Sequence, residues 1–174
     1  MKVYLAGPSV FYPNTKEISD ELKDYCKDMG LIALYPMDNE CSGDTPCELA
    51  ENIAKANIRM IQEADGIIAD ISCFRGTGMD VGTAFEIGMA VQRGIPVITY
   101  TDAPREEYLY RVVREHVQKN LDVTQDEDGV LRDSNKMAIE DFGLQENLMV
   151  SCMTQFTDQG AKKALELLYS ILHS

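Results

Sequence analysis

Short apolar runs rich in β-branched residues alternate along this chain with longer stretches whose apolar positions recur every three or four residues. KVYLA (2–6), LIALY (31–35) and GIIADI (66–71) read as strands, with 16–29 and 47–64 as the helices between them. The alternation continues with a helix over 80–93, closed by Gly94 and Pro96, then a fourth strand IPVITY (95–100) and a helix over 105–119. Repeated β-α-β units of this kind build a parallel sheet with helices on both faces. The polar, turn-rich segment 121–135 predicts a surface excursion, with a hairpin centred on Gly129. NLMVSCM (147–153) then reads as the fifth strand, and 157–172 as a closing helix capped by Thr157 or Asp158.

The pattern contains no repeat and no linker, and 174 residues with 45% hydrophobic content suit a single domain over 1–174. Sixteen basic residues against 29 acidic ones leave a net charge of −13. That charge repels phosphate backbones and anionic lipid, so neither nucleic acid nor a membrane is expected as a partner. No apolar run approaches membrane-spanning length and MKVYLAGP is too short for a signal-peptide core, so a cytoplasmic location is expected. The five cysteines are scattered without a C-x-x-C pair, and His116 and His173 lie far apart. Neither a disulfide framework nor a zinc site is indicated, and no metal is expected.

Ligands of such sheets bind at the carboxyl ends of the strands, which places loops 7–15, 36–46, 72–80 and 101–104 around one cleft. The first of them, AGPSVF, is a poor phosphate cradle: it lacks G-x-G-x-x-G and a Lys-Ser/Thr pair, and Pro8 has no N–H to donate. DVGTAFEIGMA (80–90) raises a sharper question, because it sets Glu86 inside an otherwise apolar helical run. Gly82, four residues earlier, leaves empty the surface over which a helical side chain leans. A solvated glutamate is the alternative. Asp80 suits the N-cap of that helix, and its six-residue separation from Glu86 does not put both on one face. A paired-carboxylate site therefore requires Asp80 to turn inward. With both in one cleft, one serves as nucleophile and the other as proton donor, the division of labour of glycosyl transfer through a covalent intermediate. Tyr4 reads either as a half-buried core tyrosine or as a hydroxyl that holds the nucleophile.

In order and spacing, YLAGPSVF, YPMDNE, IRMIQEADGIIADIS with FRG, MDVGTAFEIGMA and FGLQENLM resemble the nucleoside 2-deoxyribosyltransferase family, from residue 4 to about residue 150. The resemblance implies a flavodoxin-like, doubly wound, five-stranded parallel sheet with helices on both faces. It also implies exchange of one nucleobase for another on 2′-deoxyribose through a covalent sugar–enzyme intermediate, with no metal or organic cofactor. A deoxynucleoside and a free nucleobase are then the small-molecule partners. Glu86 matches the family nucleophile, Asp80 the carboxylate that handles the proton of the departing and arriving base, and Tyr4 the tyrosine that orients the nucleophile.

On the same resemblance Gly82 makes room for the sugar, Gly7 belongs to the substrate-binding first loop, and Phe11 stacks on the base. Asn39 and Glu40 fall in the segment that meets sugar and base. Asn147 matches an asparagine that binds the sugar 5′-hydroxyl from a neighbouring subunit, which implies a homo-oligomer with shared sites; it also reads as an ordinary asparagine at a strand start. Asn57 stands where some members carry an aspartate, so hydrogen bonding without proton exchange is its expected role. Two rival readings remain at this level. One is a hydrolase of deoxynucleoside 5′-monophosphates, which Arg75 favours and Glu40 and Asn147 disfavour; the other is a nucleotide-sensing module with no nucleophile.

Overall fold

The structure is a computed structural model and describes residues 1–104 and 106–174. Its elements in chain order are β1 (Lys2–Ala6), α1 (Thr15–Asp28), β2 (Ile32–Leu34), α2 (Pro46–Glu63), β3 (Gly66–Asp70), α3 (Val81–Arg93) and β4 (Val97–Tyr100). The second half adds α4 (Tyr108–Gln118), β5 (Thr124–Gln125), β6 (Leu131–Arg132), α5 (Leu148–Ser151), β7 (Gln155–Thr157) and α6 (Gly160–Leu172). Five strands pair in parallel in the order β2-β1-β3-β4-β7, the flavodoxin-like order with its switch point between β1 and β3.

Alternation along each strand sends side chains to two separate cores. Val3, Leu5, Ile68 and Ile98 pack with Leu165 and Leu168 of α6 and Leu22 of α1 on one face. Tyr4, Ile67 and Ala69 pack with Ile61 of α2 and Ile87 of α3 on the other. Strands buried on both faces read as nearly continuous apolar runs, which is why these short segments were legible. α3 ends at Gly94, whose φ of 71° is the left-handed conformation a helix stop of this kind uses.

Three boundaries differ from the sequence expectation. Residues 147–153 do not form the fifth strand: Leu148–Ser151 is one turn of helix, started by Asn147, whose Oδ1 accepts from Met149 N at 3.0 Å. The fifth strand of the sheet is β7, which lies beside β4 with Thr99 opposite Phe156. Short apolar runs do not distinguish strand from buried helix by periodicity, and here the capping asparagine decides. The closing helix begins at Gly160, and neither Thr157 nor Asp158 caps it, because Thr157 is still paired in the sheet opposite Tyr100. The helix expected over 105–119 runs over Tyr108–Gln118; residue 105 lies outside the described residues. The Gly129 hairpin is present, with β5 and β6 antiparallel and Gly129 at φ 82°. Among the described residues, no helix is long and apolar enough to cross a membrane.

Candidate active site

Tyr4 and Glu86, 82 residues apart, meet on the α2/α3 side of the sheet. The Tyr4 hydroxyl donates to Glu86 Oε1 at 2.5 Å. Tyr4 is fully buried on the central strand β1, so its ring is fixed by core packing, while Glu86 is half-buried on α3. Burial pushes the Glu86 carboxyl up to about 7; the Tyr4 hydrogen bond opposes that rise and the negative charge of Asp80 adds to it. The Tyr4 phenol is driven far above its ordinary value, first by burial and then by the adjacent Glu86 charge, so it remains a donor at any working pH.

Asp80 does turn back over the helix start. Its Oδ2 accepts from Thr83 N at 2.9 Å and from Thr83 Oγ1 at 3.1 Å, which makes it the N-cap of α3. A Cβ at Gly82 would stand 3.0 Å from Asp80 Oδ2, so the space left by this glycine is shared with the Asp80 carboxylate. The two carboxylates thus interact across the first turns of one helix, Asp80 from its cap and Glu86 from its second turn. This arrangement sets two carboxyl groups of different environment side by side, with a neutral phenol hydrogen-bonded to the more buried one.

Of the remaining sequence candidates, Gly7, Phe11, Asn39 and Glu40 lie in the segments that follow β1 and β2. Gly7 lies at the end of β1 with its backbone against β3: a Cβ there would meet Asp70 Cβ at 2.8 Å. Phe11, 56% exposed, stacks on Phe74 of the third loop with centroids 5.2 Å apart and planes 22° apart. The Arg75 guanidinium lies over both rings, at 5.4 Å and 4.7 Å. Asn39 Nδ2 donates to Pro36 O at 3.4 Å and reaches Met60 Sδ at 3.5 Å, and Glu40 is exposed. Asn57 on α2 carries a buried Oδ1 with no hydrogen-bond partner among the described residues. Such an acceptor costs about 1–3 kcal/mol when left dry, so a donor from a ligand would relieve it.

Asn147 stands apart from the Tyr4–Glu86 pair. Its Nδ2 donates to Glu140 at 2.6 Å, and it borders an apolar cleft of about 980 Å³ along the outer side of α3, with Met79, Val81, Ala84 and Met149. Sequence reasoning missed the group that ties this segment to the site. The buried Arg111 guanidinium donates to Glu146 Oε1 at 2.8 Å, Gln145 O at 2.5 Å, Thr77 O at 3.0 Å and Glu106 O at 3.1 Å. Glu146 Oε1 also accepts from Met79 N at 3.0 Å. Together they brace the loop that delivers Asp80 against the segment that carries Asn147. No local spacing marked Arg111, which lies off the Leu109–Val112–Val113 face of α4; its buried partners come from the loops folded against that helix.

A model of the nucleoside 2-deoxyribosyltransferase family matches residues 3–149. An uncharacterized protein of Schizosaccharomyces pombe is 31% identical over 155 residues, spanning 84% of this chain and 74% of that protein. The 2-desoxiribosyltransferase from Leishmania mexicana superposes with a TM-score of 0.73 at 30% identity, covering 97% of both chains. A conserved protein from Enterococcus faecalis, 19% identical with a TM-score of 0.60 over 98% of each chain, shares the fold. The family match runs from β1 into α5 and takes in Tyr4, Asp80 and Glu86 on the way, so this chain belongs to the nucleoside 2-deoxyribosyltransferase family.

Proposed function

We propose that the protein exchanges nucleobases on 2′-deoxyribonucleosides in nucleoside salvage. The observation that carries this reading is the hydrogen-bonded Tyr4–Glu86 pair with Asp80 folded over the same helix start. The Glu86 carboxylate attacks C1′ as the bond to the first base breaks, and the proton that the Glu86–Asp80 pair shares passes through Asp80 to the departing base. A second base then attacks C1′, the ester to Glu86 breaks, and Asp80 takes up the proton that the arriving base loses. Two inversions return the original anomer. The unpartnered Asn57 Oδ1 supports a substrate donor at that position, and the exposed Phe11–Phe74 stack supports a base face at the mouth. The reaction needs no metal or organic cofactor.

Incubation with a 2′-deoxynucleoside and a foreign base tests the proposal directly, with the exchanged nucleoside as the expected product. Free base without exchange would instead favour a hydrolase, and neither product would favour a binding module. Tyr4→Phe removes the hydrogen bond that holds the Glu86 pKa down, so the acid limb of the rate profile should move to higher pH and turnover at pH 7 should fall about tenfold. An unmoved limb would deny Tyr4 its positioning role.

The proposal extends to a homo-oligomer in which Asn147 serves a neighbour's site. Exposed apolar side chains on the outer cleft support a covering subunit, with Val81 84% and Met149 68% exposed. Mixing Glu86→Ala with Asn147→Ala protein under subunit exchange should then restore activity, to at most about a quarter of wild type in a symmetric dimer. Proven exchange with no gain over the parents would assign Asn147 to its own chain, where it already caps α5.

A further inference from the structure

A second cavity, of about 380 Å³, opens on the other face of the sheet, between α1, α6 and the carboxyl ends of β1, β3 and β4. Asp70 and Tyr100 are register partners at the ends of β3 and β4, and both side chains leave the sheet on this face, away from Tyr4 and Glu86. Tyr12 from the first loop and Asp102 from the fourth complete the polar wall. Tyr100 is 7% exposed, and its hydroxyl makes no hydrogen bond to another described residue although its side chain lines the cavity. Its ring is buried while the hydroxyl oxygen opens onto the cavity, where it is free to meet a ligand. Its titration is pushed well upward, by burial first and then by the Asp70 and Asp102 charges, so it stays neutral.

The charges around it are unbalanced. Asp70 Oδ1 accepts from Ser72 N at 2.8 Å, and among the described residues no cation pairs with Asp70 or Asp102. Lys162 at the rim is held by Glu21 at 2.7 Å. An anion is disfavoured even though α6 starts here, because the Asp102 carboxylate already sits over Gly160, where any side chain would collide with its Oδ1. A metal ion lacks ligands, since no group of three or more His, Cys, Asp or Glu is placed to hold one among the described residues. What fits two carboxylates, an unpartnered phenol oxygen and tyrosine rings is a hydrogen-bond donor that carries positive charge.

We propose that this cavity is a binding site for a small organic cation, a primary alkylammonium or diamine, whose N–H groups donate to the Asp70 and Asp102 carboxylates and to the Tyr100 hydroxyl oxygen. The site lies on the opposite side of the sheet from Glu86. The Gly7 backbone packed on Asp70 is the point where the two faces touch.

Isothermal titration with 1,4-diaminobutane at low salt should show one saturable site per chain, and 1,4-butanediol, of the same length without charge, should show none. Asp70→Asn and Tyr100→Phe should each weaken binding about tenfold or more, the scale of one lost hydrogen bond to a charged group. Glu127→Gln, which removes an exposed acid on the hairpin, should leave it unchanged, as should Glu86→Gln. Retained binding in Glu86→Gln keeps this result separate from any failure of the transferase reading. In wild-type protein, diamine-induced amide shifts should cluster at residues 9–12, 70 and 159–162, a readout that does not depend on any variant folding. Absence of saturable binding, equal affinity in Asp70→Asn, shifts scattered over the acidic surface, or a site filled by magnesium or calcium but not by the diamine would each overturn the proposal.

Discussion

Glu86→Gln is expected to lose base exchange by roughly a thousandfold or more while making the protein more stable at pH 8. The amide cannot form the sugar ester, so turnover goes with the carboxylate. The stability gain follows from the raised Glu86 pKa of about 7 against an ordinary 4.5. Between those two values the folded protein holds a proton that the unfolded chain has released. Stability therefore falls as pH rises through this window, by an amount on the order of 1–3 kcal/mol. Glutamine carries no such proton, so the variant's advantage should be absent below about pH 4.5, grow through the window and level off above pH 7. Denaturant melts at pH 4, 6 and 8 measure it. Equal melts at pH 8 would mean that burial does not raise the Glu86 carboxyl, and near-normal exchange would remove Glu86 as nucleophile.

Asp80→Asn separates capping from chemistry. Asparagine caps helices about as well as aspartate, and its single carbonyl oxygen is able to accept from both Thr83 N and Thr83 Oγ1 as Asp80 Oδ2 does. The melting temperature should hardly move, while exchange falls about a hundredfold, the scale of a lost general acid–base. The variant also removes the charge that helps raise Glu86, so the acid limb of whatever activity remains should shift to lower pH. Tyr4→Phe shifts it the other way, and this opposition of signs distinguishes loss of a neighbouring carboxylate from loss of a hydrogen-bond donor. A large drop in stability with an unshifted limb would leave Asp80 as a cap alone.

The chain by itself determined what is decided within a few residues. Periodicity set the β-α alternation through β4; Asp80 and Gly94 marked the two ends of α3; Gly129 marked the hairpin. Family resemblance then assigned roles to Glu86, Asp80 and Tyr4 that helix statistics alone left open. Tertiary structure decided the rest, because strand pairing and burial act between residues far apart in sequence. It moved the fifth strand from 147–153 to Gln155–Thr157, where pairing with β4 is available. It joined Tyr4 to Glu86 and raised that carboxyl by desolvation, which no local spacing encodes. It also showed Arg111 and Glu146, 35 residues apart, bracing the Asp80 loop, and set Asp70 beside Tyr100 across the sheet from the proposed chemistry. Spacing within a helix or strand fixes which face a side chain takes; only packing between elements fixes what it meets there and which protons it keeps.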